Sequence, residues 1–388
     1  MKYRISDVFD LQMGKTPDRN KAEYWNDGTE PWISIADMSK ADIYIGSTKE
    51  CISNLAVENS GIKIIPRNTV IMSFKLSIGK VAITERDMYS NEAIMAFIDK
   101  GVVRIIPEYL YYSLLSKDWN EGTNKAVMGK TLNKATLSQM KIVIHGFDEQ
   151  RMITDKLHRL GDVIAQRREQ LELLDTLIKA RFVEMFGDPL IDTSKWKMST
   201  IGDQFKVMSG GTPATEEKSY WDNGTIPWIG SNMCQNRILL ENDGKFITEE
   251  GFAHSSAKWF YKGTVLVALV GATIGKTALL RFDTTTNQNI AAIDVNGNDA
   301  FASEFIFYHM QMLFSKFMEI GSGKFKMANQ GFIRHLPLIC PPLEIQEQFA
   351  AFVFEVDKSK FYKEARAALV WHTDNKRQEW MICQTLSS

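Results

Sequence analysis

The chain of 388 residues has no run of eighteen apolar residues, so no membrane-spanning helix is expected. Its opening, MKYRISDVFDLQMG, turns polar too early for a signal peptide, and a cytoplasmic protein is expected. Cysteine is scarce. Cys51, Cys234, Cys340 and Cys383 stand far apart with no CxxC pair, which argues against zinc fingers and disulfide frameworks. Neither charge sign dominates: the net charge is −1, so any grip on a polyanion must come from local clusters. Catalytic signatures are missing too. There is no GxSxG, no HExxH, no GxGxxG after a strand and no Asn-Pro-Pro-aromatic motif. The stretch Gly271–Lys276 has three residues between its glycines where a phosphate-binding loop needs four.

What the chain does have, it has twice. Residues 14–38 read GKTPDRNKAEYWNDGTEPWISIADM and residues 210–233 read GGTPATEEKSYWDNGTIPWIGSNM. Between Thr16–Ile33 and Thr212–Ile229, nine of eighteen positions are identical at an offset of 196. Asn68–Met72 matches Gly263–Val267 after a one-residue slip, and Ser77-Ile78-Gly79-Lys80 returns to 196 against Thr273-Ile274-Gly275-Lys276. Asn91 then matches Asn287, Tyr112 matches Tyr308 and Gln150 matches Gln346. Such self-similarity marks a domain-sized duplication, with the slip and its repair placed in loops. The six histidines are isolated and none recurs at the offset, which argues against a shared catalytic or metal histidine.

Within each copy, Asp27-Gly28 and Asn223-Gly224 signal turns before strand-like runs. The β-branched runs Thr69–Phe74 and Thr264–Val270 predict buried strands, and Glu108–Ser116 and Ser303–Leu313 predict helices. After Phe147 the period changes. Ile153, Leu157, Leu160, Ile164, Arg167, Leu171, Leu174, Ile178, Arg181 and Met185 hold a heptad seam, predicting a helix of roughly 33 residues, about 50 Å long. It stops at Gly187 and Pro189. A second helix opens at Pro341-Pro342-Leu343-Glu344 and continues the seam through Phe349, Val353 and Val356. The register then fails at Lys360, Lys363 and Asp374.

Candidate contacts with a nucleic acid fall in the repeated loops. Asn124–Lys141 carries Lys125, Lys130, Lys134 and Lys141 with no acid, and Ile320–Pro342 carries Lys324, Lys326 and Arg334 with none. Lys80 and Lys276 end tight repeated loops, where a lysine suits a phosphate or base edge; a plain hairpin turn is the other reading. Lys15, Lys75, Ser77 and Thr273 flank the same motifs. Asn91, Asn287 and Gln288 could pair bidentately with adenine or serve as turn caps. Trp32 and Trp228 read as core, and Trp25 and Trp221 as packing more than ligand contact.

These blocks, GKTP…YW…GTEPWI and GGTP…YW…GTIPWI, resemble the specificity subunit of type I restriction–modification enzymes. The SIGK and TIGK loops, the stretch LELLDTLIKARFVEMFGDP and the helix openings FDEQRMI and PPLEIQEQF carry the same likeness, which extends to about residue 358. The resemblance implies an α+β protein of two similar mixed target-recognition domains with pseudo-twofold symmetry. Long conserved helices, packed as an antiparallel coiled coil, would separate them. The expected division is recognition domain 1–147, central spacer helix 148–188, recognition domain 189–341 and C-terminal spacer helix 342–388, atypical after about 358. Each domain would read one half of an asymmetric bipartite target in double-stranded DNA, without catalytic residues. Two modification subunits would bring S-adenosylmethionine, and restriction subunits would add ATP- and Mg-dependent activity. The alternative is a scaffold or truncated specificity subunit that binds partners without full DNA recognition.

Overall fold

The computed structural model describes residues 1–75, 77–117, 119, 132–191, 195–320 and 327–360. The chain divides into two compact units, one built on Met1–Gln166 and one beginning at Arg167. The first holds strands β1 (Lys2–Arg4), β2 (Phe9–Met13), β3 (Glu30–Ile33), β4 (Tyr44–Ile45), β5 (Glu50–Ile52), β6 (Val70–Ser73), β7 (Val81–Thr84), β8 (Tyr89–Ser90), β9 (Ile94–Asp99) and β10 (Lys141–Val143). The second holds β11 (Lys197–Thr200), β12 (Lys206–Ser209), β13 (Ile226–Ile229), β14 (Arg237–Leu239), β15 (Phe246–Ile247), β16 (Trp259–Phe260), β17 (Val265–Ala268), β18 (Thr277–Leu280), β19 (Thr284–Thr286), β20 (Ile290–Asp294) and β21 (Pro337–Cys340).

The duplication extends to topology. A five-stranded sheet runs β2-β9-β6-β7-β4 in the first unit and β12-β20-β17-β18-β14 in the second. A smaller sheet runs β5-β3-β8 in one and β15-β13-β19-β16 in the other, and a two-stranded pair, β1-β10 or β11-β21, completes each. In both, the strand of the PWI motif pairs parallel to its neighbour, Trp32 facing Tyr89 and Trp228 facing Thr285. The central strands β6, β7, β17 and β18 are buried along their whole length, β6 and β17 as their β-branched runs predict. The expected helices form at Pro107–Leu115 and Ser303–Met312 and pack on these sheets.

The central helix runs unbroken over Phe147–Phe186, 40 residues or about 60 Å, longer than the roughly 33 expected. Gln150 anchors its first turn to the domain. That side chain is fully buried and makes three bonds. Its Oε1 accepts from Ile106 N at 2.9 Å, and its Nε2 donates to Arg104 O at 3.0 Å and His145 O at 2.9 Å. Gln346 repeats all three at the start of the C-terminal helix (343–360), with Ala302 N at 2.9 Å, Ala300 O at 3.0 Å and Pro341 O at 2.8 Å.

The seam departs from the heptad at its end. Ile178, Phe182 and Phe186 are the fully buried residues, whereas Arg181 and Met185 lie on the flank. The last turns enter the second unit's globular core, where the 3.6-residue period of a straight helix governs, not 3.5. Phe182 and Phe186 meet Phe349 with ring centroids 5.4 and 5.5 Å apart, and Phe305 at 5.7 and 4.9 Å. Arg181 lies over Phe352, and Asp175 pairs with Lys360 at 2.6 Å. Partners thus run in opposite order along the two helices. Ile164 and Arg167, mid-seam, are exposed.

Lys360 corrects the reading that the C-terminal helix loses its register there. Its ammonium bonds Asp175 and Asp357, the latter at 3.2 Å, while its stem is largely covered. Burial alone would lower its pKa; the two carboxylates outweigh burial and raise it. Lys363, Ala367, Val370 and Asp374 lie outside the described residues.

Two predictions follow from this packing. Gln150→Leu strands one amide and two carbonyls, each worth about 1–3 kcal/mol when buried and unpaired, so chemical denaturation should show a loss on the order of 3 kcal/mol; Gln346→Leu should do the same. A loss below about 1 kcal/mol would reject the anchor. His309 is fully buried among aromatic rings, and burial pushes its pKa from 6.5 down to about 3. The unfolded ring binds protons more readily, so this contribution is complete above 6.5 and lost as pH falls toward about 3. The wild-type unfolding free energy should therefore drop from pH 6.5 to about 4 more steeply than that of His309→Phe, by up to about 1.4 kcal/mol per pH unit. Equal slopes would clear His309.

Candidate nucleic-acid interface

The repeated motifs converge on one lip in each unit. In the first, β6 and β7 pair antiparallel, Met72 opposite Val81, and residues 74–80 connect them. Ser73 N donates to Lys80 O at 2.9 Å, and Gly79 N donates to Ser73 O at 3.0 Å. In the second, Ala268 N donates to Lys276 O at 2.9 Å and Gly275 N to Ala268 O at 2.9 Å. The same closure thus spans one more residue in the second copy, which places the repair of the slip in this connector. Gly79 and Gly275 adopt φ of +91° and +76°, the left-handed region that glycine enters without penalty.

The turn lysines are held alike. Lys80 Nζ donates to Ser39 Oγ, and Lys276 Nζ to Gln235 Oε1 at 2.7 Å, both partners 41 residues upstream. Ser39 caps the short helix Ile35–Met38, and Gln235 follows the helical turn Ser231–Met233. Neither partner carries charge, and neither lysine enters an ion pair among the described residues. Of the two readings of this loop, the hairpin is observed; its lysine is tethered without being neutralised.

Beside the turn runs residues 91–93. Phe74 N donates to Ala93 O at 3.0 Å, and Leu269 N to Asn289 O at 2.9 Å. Asn91 Oδ1 accepts from Ala93 N at 3.0 Å, and Asn287 Oδ1 from Asn289 N at 3.1 Å. These are Asx turns, which fix each side chain on its own backbone; the bond uses one lone pair of Oδ1 and leaves the second lone pair and Nδ2 to other partners. Gln288 accepts from the Thr212 hydroxyl at 2.5 Å. Its counterpart, Glu92, accepts from Thr16. Lys75 lies against Phe74 and near Glu92, Ser77 is exposed, and Thr273 Oγ1 donates to Val270 O at 3.4 Å. The Thr16 bond holds the Glu92 carboxyl below its usual pKa.

The TP and PWI blocks form the backing. Trp32 Nε1 donates to Lys15 O and Trp228 Nε1 to Gly211 O, both at 3.1 Å. Trp25 stands edge-on to Trp32 at 5.0 Å, and Trp221 to Trp228 at 5.2 Å, so these tryptophans are packing residues. Lys15 is exposed but has glycine as its counterpart. Arg19 stacks on Trp25 at 3.6 Å and bonds both Glu50 oxygens, at 2.7 and 3.1 Å, a pairing that lowers the Glu50 pKa. Thr215 occupies the matching position in the second copy.

Of the other candidates, Lys134 is exposed in the first turn of the helix Lys134–Gln139, and no hydrogen bond of a described residue ties it to the lip. Lys130, Lys324 and Lys326 lie outside the described residues. Thr16, Glu92, Ser39 and Gln235 were not singled out from sequence, although the offset of 196 relates them to Thr212, Gln288, Gln235 and Ser39. Among the described residues no cluster of three or more His, Cys, Asp or Glu is placed to hold a metal ion.

A family model described as the type I restriction modification DNA specificity domain matches residues 1–173 and again 193–368. The type I restriction enzyme MjaIX specificity subunit of Methanocaldococcus jannaschii is 26% identical over 312 residues, 75% of this chain and 71% of that protein. The EcoR124I/EcoR124II specificity subunit of Escherichia coli is 33% identical over 198 residues, 48% of this chain and 47% of that protein. A chain from a study of complex assembly and conformational transition in the type I R-M system aligns with TM-score 0.62 at 16% identity, covering 98% of this chain and 96% of that one. The S subunit from M. genitalium aligns with TM-score 0.50 at 14% identity, covering 97% and 94%. At such identities the structural likeness is one of fold.

The turn glycines yield a ranking. A Cβ on Gly275 would lie 2.7 Å from Phe317 Cγ, and one on Gly79 3.2 Å from Trp119 Cδ1. Both substitutions to alanine carry about 1–2 kcal/mol of left-handed strain, and Gly275→Ala adds overpacking of about 1–3 kcal/mol. Urea titration should rank Gly275→Ala as the more destabilising; the reverse order would refute this packing.

Proposed function

The chain belongs to the type I restriction modification DNA specificity family, and from that membership we propose how its two copies divide the reading of a DNA target. It is a specificity subunit with two target-recognition domains, and it is not itself catalytic. Each domain presents its lip to one half of a bipartite site. The observation that carries this is the duplicated tether of Lys80 and Lys276, a cation at a glycine turn fixed by a neutral partner. A lysine held this way keeps its charge for phosphate or a base edge. Lys15, Lys75, Ser77 and Thr273 lie on or beside the same lips. Lys130, Lys134, Lys324 and Lys326 belong to basic stretches that would add backbone contacts.

The central helix is the spacer in this reading, and the lips differ in sequence, so the target is asymmetric. Two modification subunits carrying S-adenosylmethionine would dock on the complex, and restriction subunits would bring ATP and Mg, all in the cytoplasm. No helix among the described residues is long and apolar enough to cross a membrane.

Two measurements test the proposal. Mapping methylated adenines genome-wide should reveal a bipartite motif that vanishes when the gene is deleted. In the purified complex, Lys80→Ala and Lys276→Ala should each weaken DNA binding and reduce the slope of log affinity against log salt by about 1. A persistent motif, or unchanged affinity and slope, would overturn it.

A further inference from the structure

Both lips carry one exposed residue that the scaffold fixes in the same way but whose chemistry differs. It is Glu92 in the first domain and Gln288 in the second, at the repeat offset. The hydroxyl of Thr16 or Thr212, each 76 residues upstream, donates to a side-chain oxygen of the acid or the amide. The two threonines open the repeated TP block, and the residues just before them, Lys15 and Gly211, are tied to the PWI strand by accepting from Trp32 and Trp228. Each position lies between the Asx turn of Asn91 or Asn287 and the residue that bonds the turn connector, Ala93 or Asn289. The backbone around it is therefore the same in both copies, and the side chains have equal length. What differs is one functional group. A carboxylate only accepts hydrogen bonds; a carboxamide accepts through oxygen and donates through nitrogen.

We propose that positions 92 and 288 are base-reading positions, Glu92 accepting from a cytosine amino group and Gln288 pairing with adenine, so that the two half-sites differ at the base pair each one faces. This rests on the reading of the lips as DNA-facing. Glu92 stands beside Lys75 on a surface otherwise suited to phosphate, where a carboxylate costs affinity unless it meets a donor. In the major groove cytosine N4 and adenine N6 are such donors, but adenine sets its N7 acceptor beside N6, which a carboxylate cannot satisfy, and guanine offers only acceptors. Gln288 keeps its Nε2 without a hydrogen bond among the described residues, while Thr212 uses part of its oxygen's capacity. The carbonyl's second lone pair and the amide nitrogen match N6 and N7 of adenine. The threonine tethers limit rotamer loss on binding, which keeps the discrimination from being lost to side-chain ordering.

The test uses the purified complex of this chain with its modification subunits and duplex libraries randomised in each half-site. Glu92→Gln should move the preference at one base pair of the first half from C toward A, by about tenfold or more, with the second half unchanged. Gln288→Glu should do the converse in the second half. Thr16→Val supplies an independent readout, since it frees Glu92 while leaving the carboxylate in place: discrimination should fall at that same base pair with no new preferred base. Swap variants that select the wild-type base pairs, or a Thr16→Val effect spread evenly over the half-site, would overturn the proposal. A wild-type complex with no bipartite preference would instead bring down the underlying reading of the lips.

Discussion

The amide of Gln150, and its repeat in Gln346, is the constraint on which each half of the molecule depends. A carboxamide sealed from water must find partners for its oxygen and its nitrogen, or the fold loses their desolvation cost. Here one oxygen takes one backbone N–H and one nitrogen serves two carbonyls, from the segment before a domain helix and the end of the last domain strand's extension. Those groups are fixed in space, so a helix shifted by a single residue could not satisfy them. An apolar side chain at the same point would tolerate such slippage. The long helices therefore leave their domains at a set position and direction, which a reading head on a spacer requires.

The repeat then separates what must be kept from what can vary. The tryptophan bonds, the edge-on ring pairs and the Asx turns agree between the copies to within 0.2 Å, and both turn glycines are left-handed, at φ of +91° and +76°. Residues displayed on that frame are not: Lys15 becomes Gly211, Arg19 becomes Thr215 and Glu92 becomes Gln288. A shared frame with unlike displayed groups is what two readers of unlike half-sites need, because frame distortions would alter many contacts at once while a displayed group alters one.

Local pattern made much of this legible. β-Branched runs marked the buried strands β6 and β17, turn dipeptides marked Asp27 and Asn223, which do adopt positive φ, and the offset itself predicted that both domains share a topology. Sequence failed where a long-range partner decides the outcome. The heptad pointed at Arg181 and Met185, but the aromatic cluster of the second domain draws in Phe182 and Phe186. Lys360 looked like the end of a seam, yet Asp175 on another helix makes it part of one. Nothing local says that β3 pairs parallel with β8, or that Thr16 reaches Glu92. For the candidate interface, the motifs were visible as repeats, but only the fold shows that TP, PWI, Asn91 and SIGK are neighbours.

The tether chemistry bears on how a protein of net charge −1 can hold DNA at all. Affinity for a duplex scales with the phosphates neutralised, and a lysine paired to a carboxylate must give up that partner before it can neutralise a phosphate. The tethers of Lys80 and Lys276 use a hydroxyl and an amide, which restrict a four-carbon stem without cancelling its charge. Part of the rotamer entropy, up to about 2 kcal/mol for a lysine, is then lost on folding and not on binding. Ion pairs appear elsewhere in the same domains, at Arg19 with Glu50 and at Arg281 with Glu304, where geometry and not net charge is at stake. A chain can thus stay near neutral overall, and resist indiscriminate binding to polyanions, while each lip keeps an oriented positive charge.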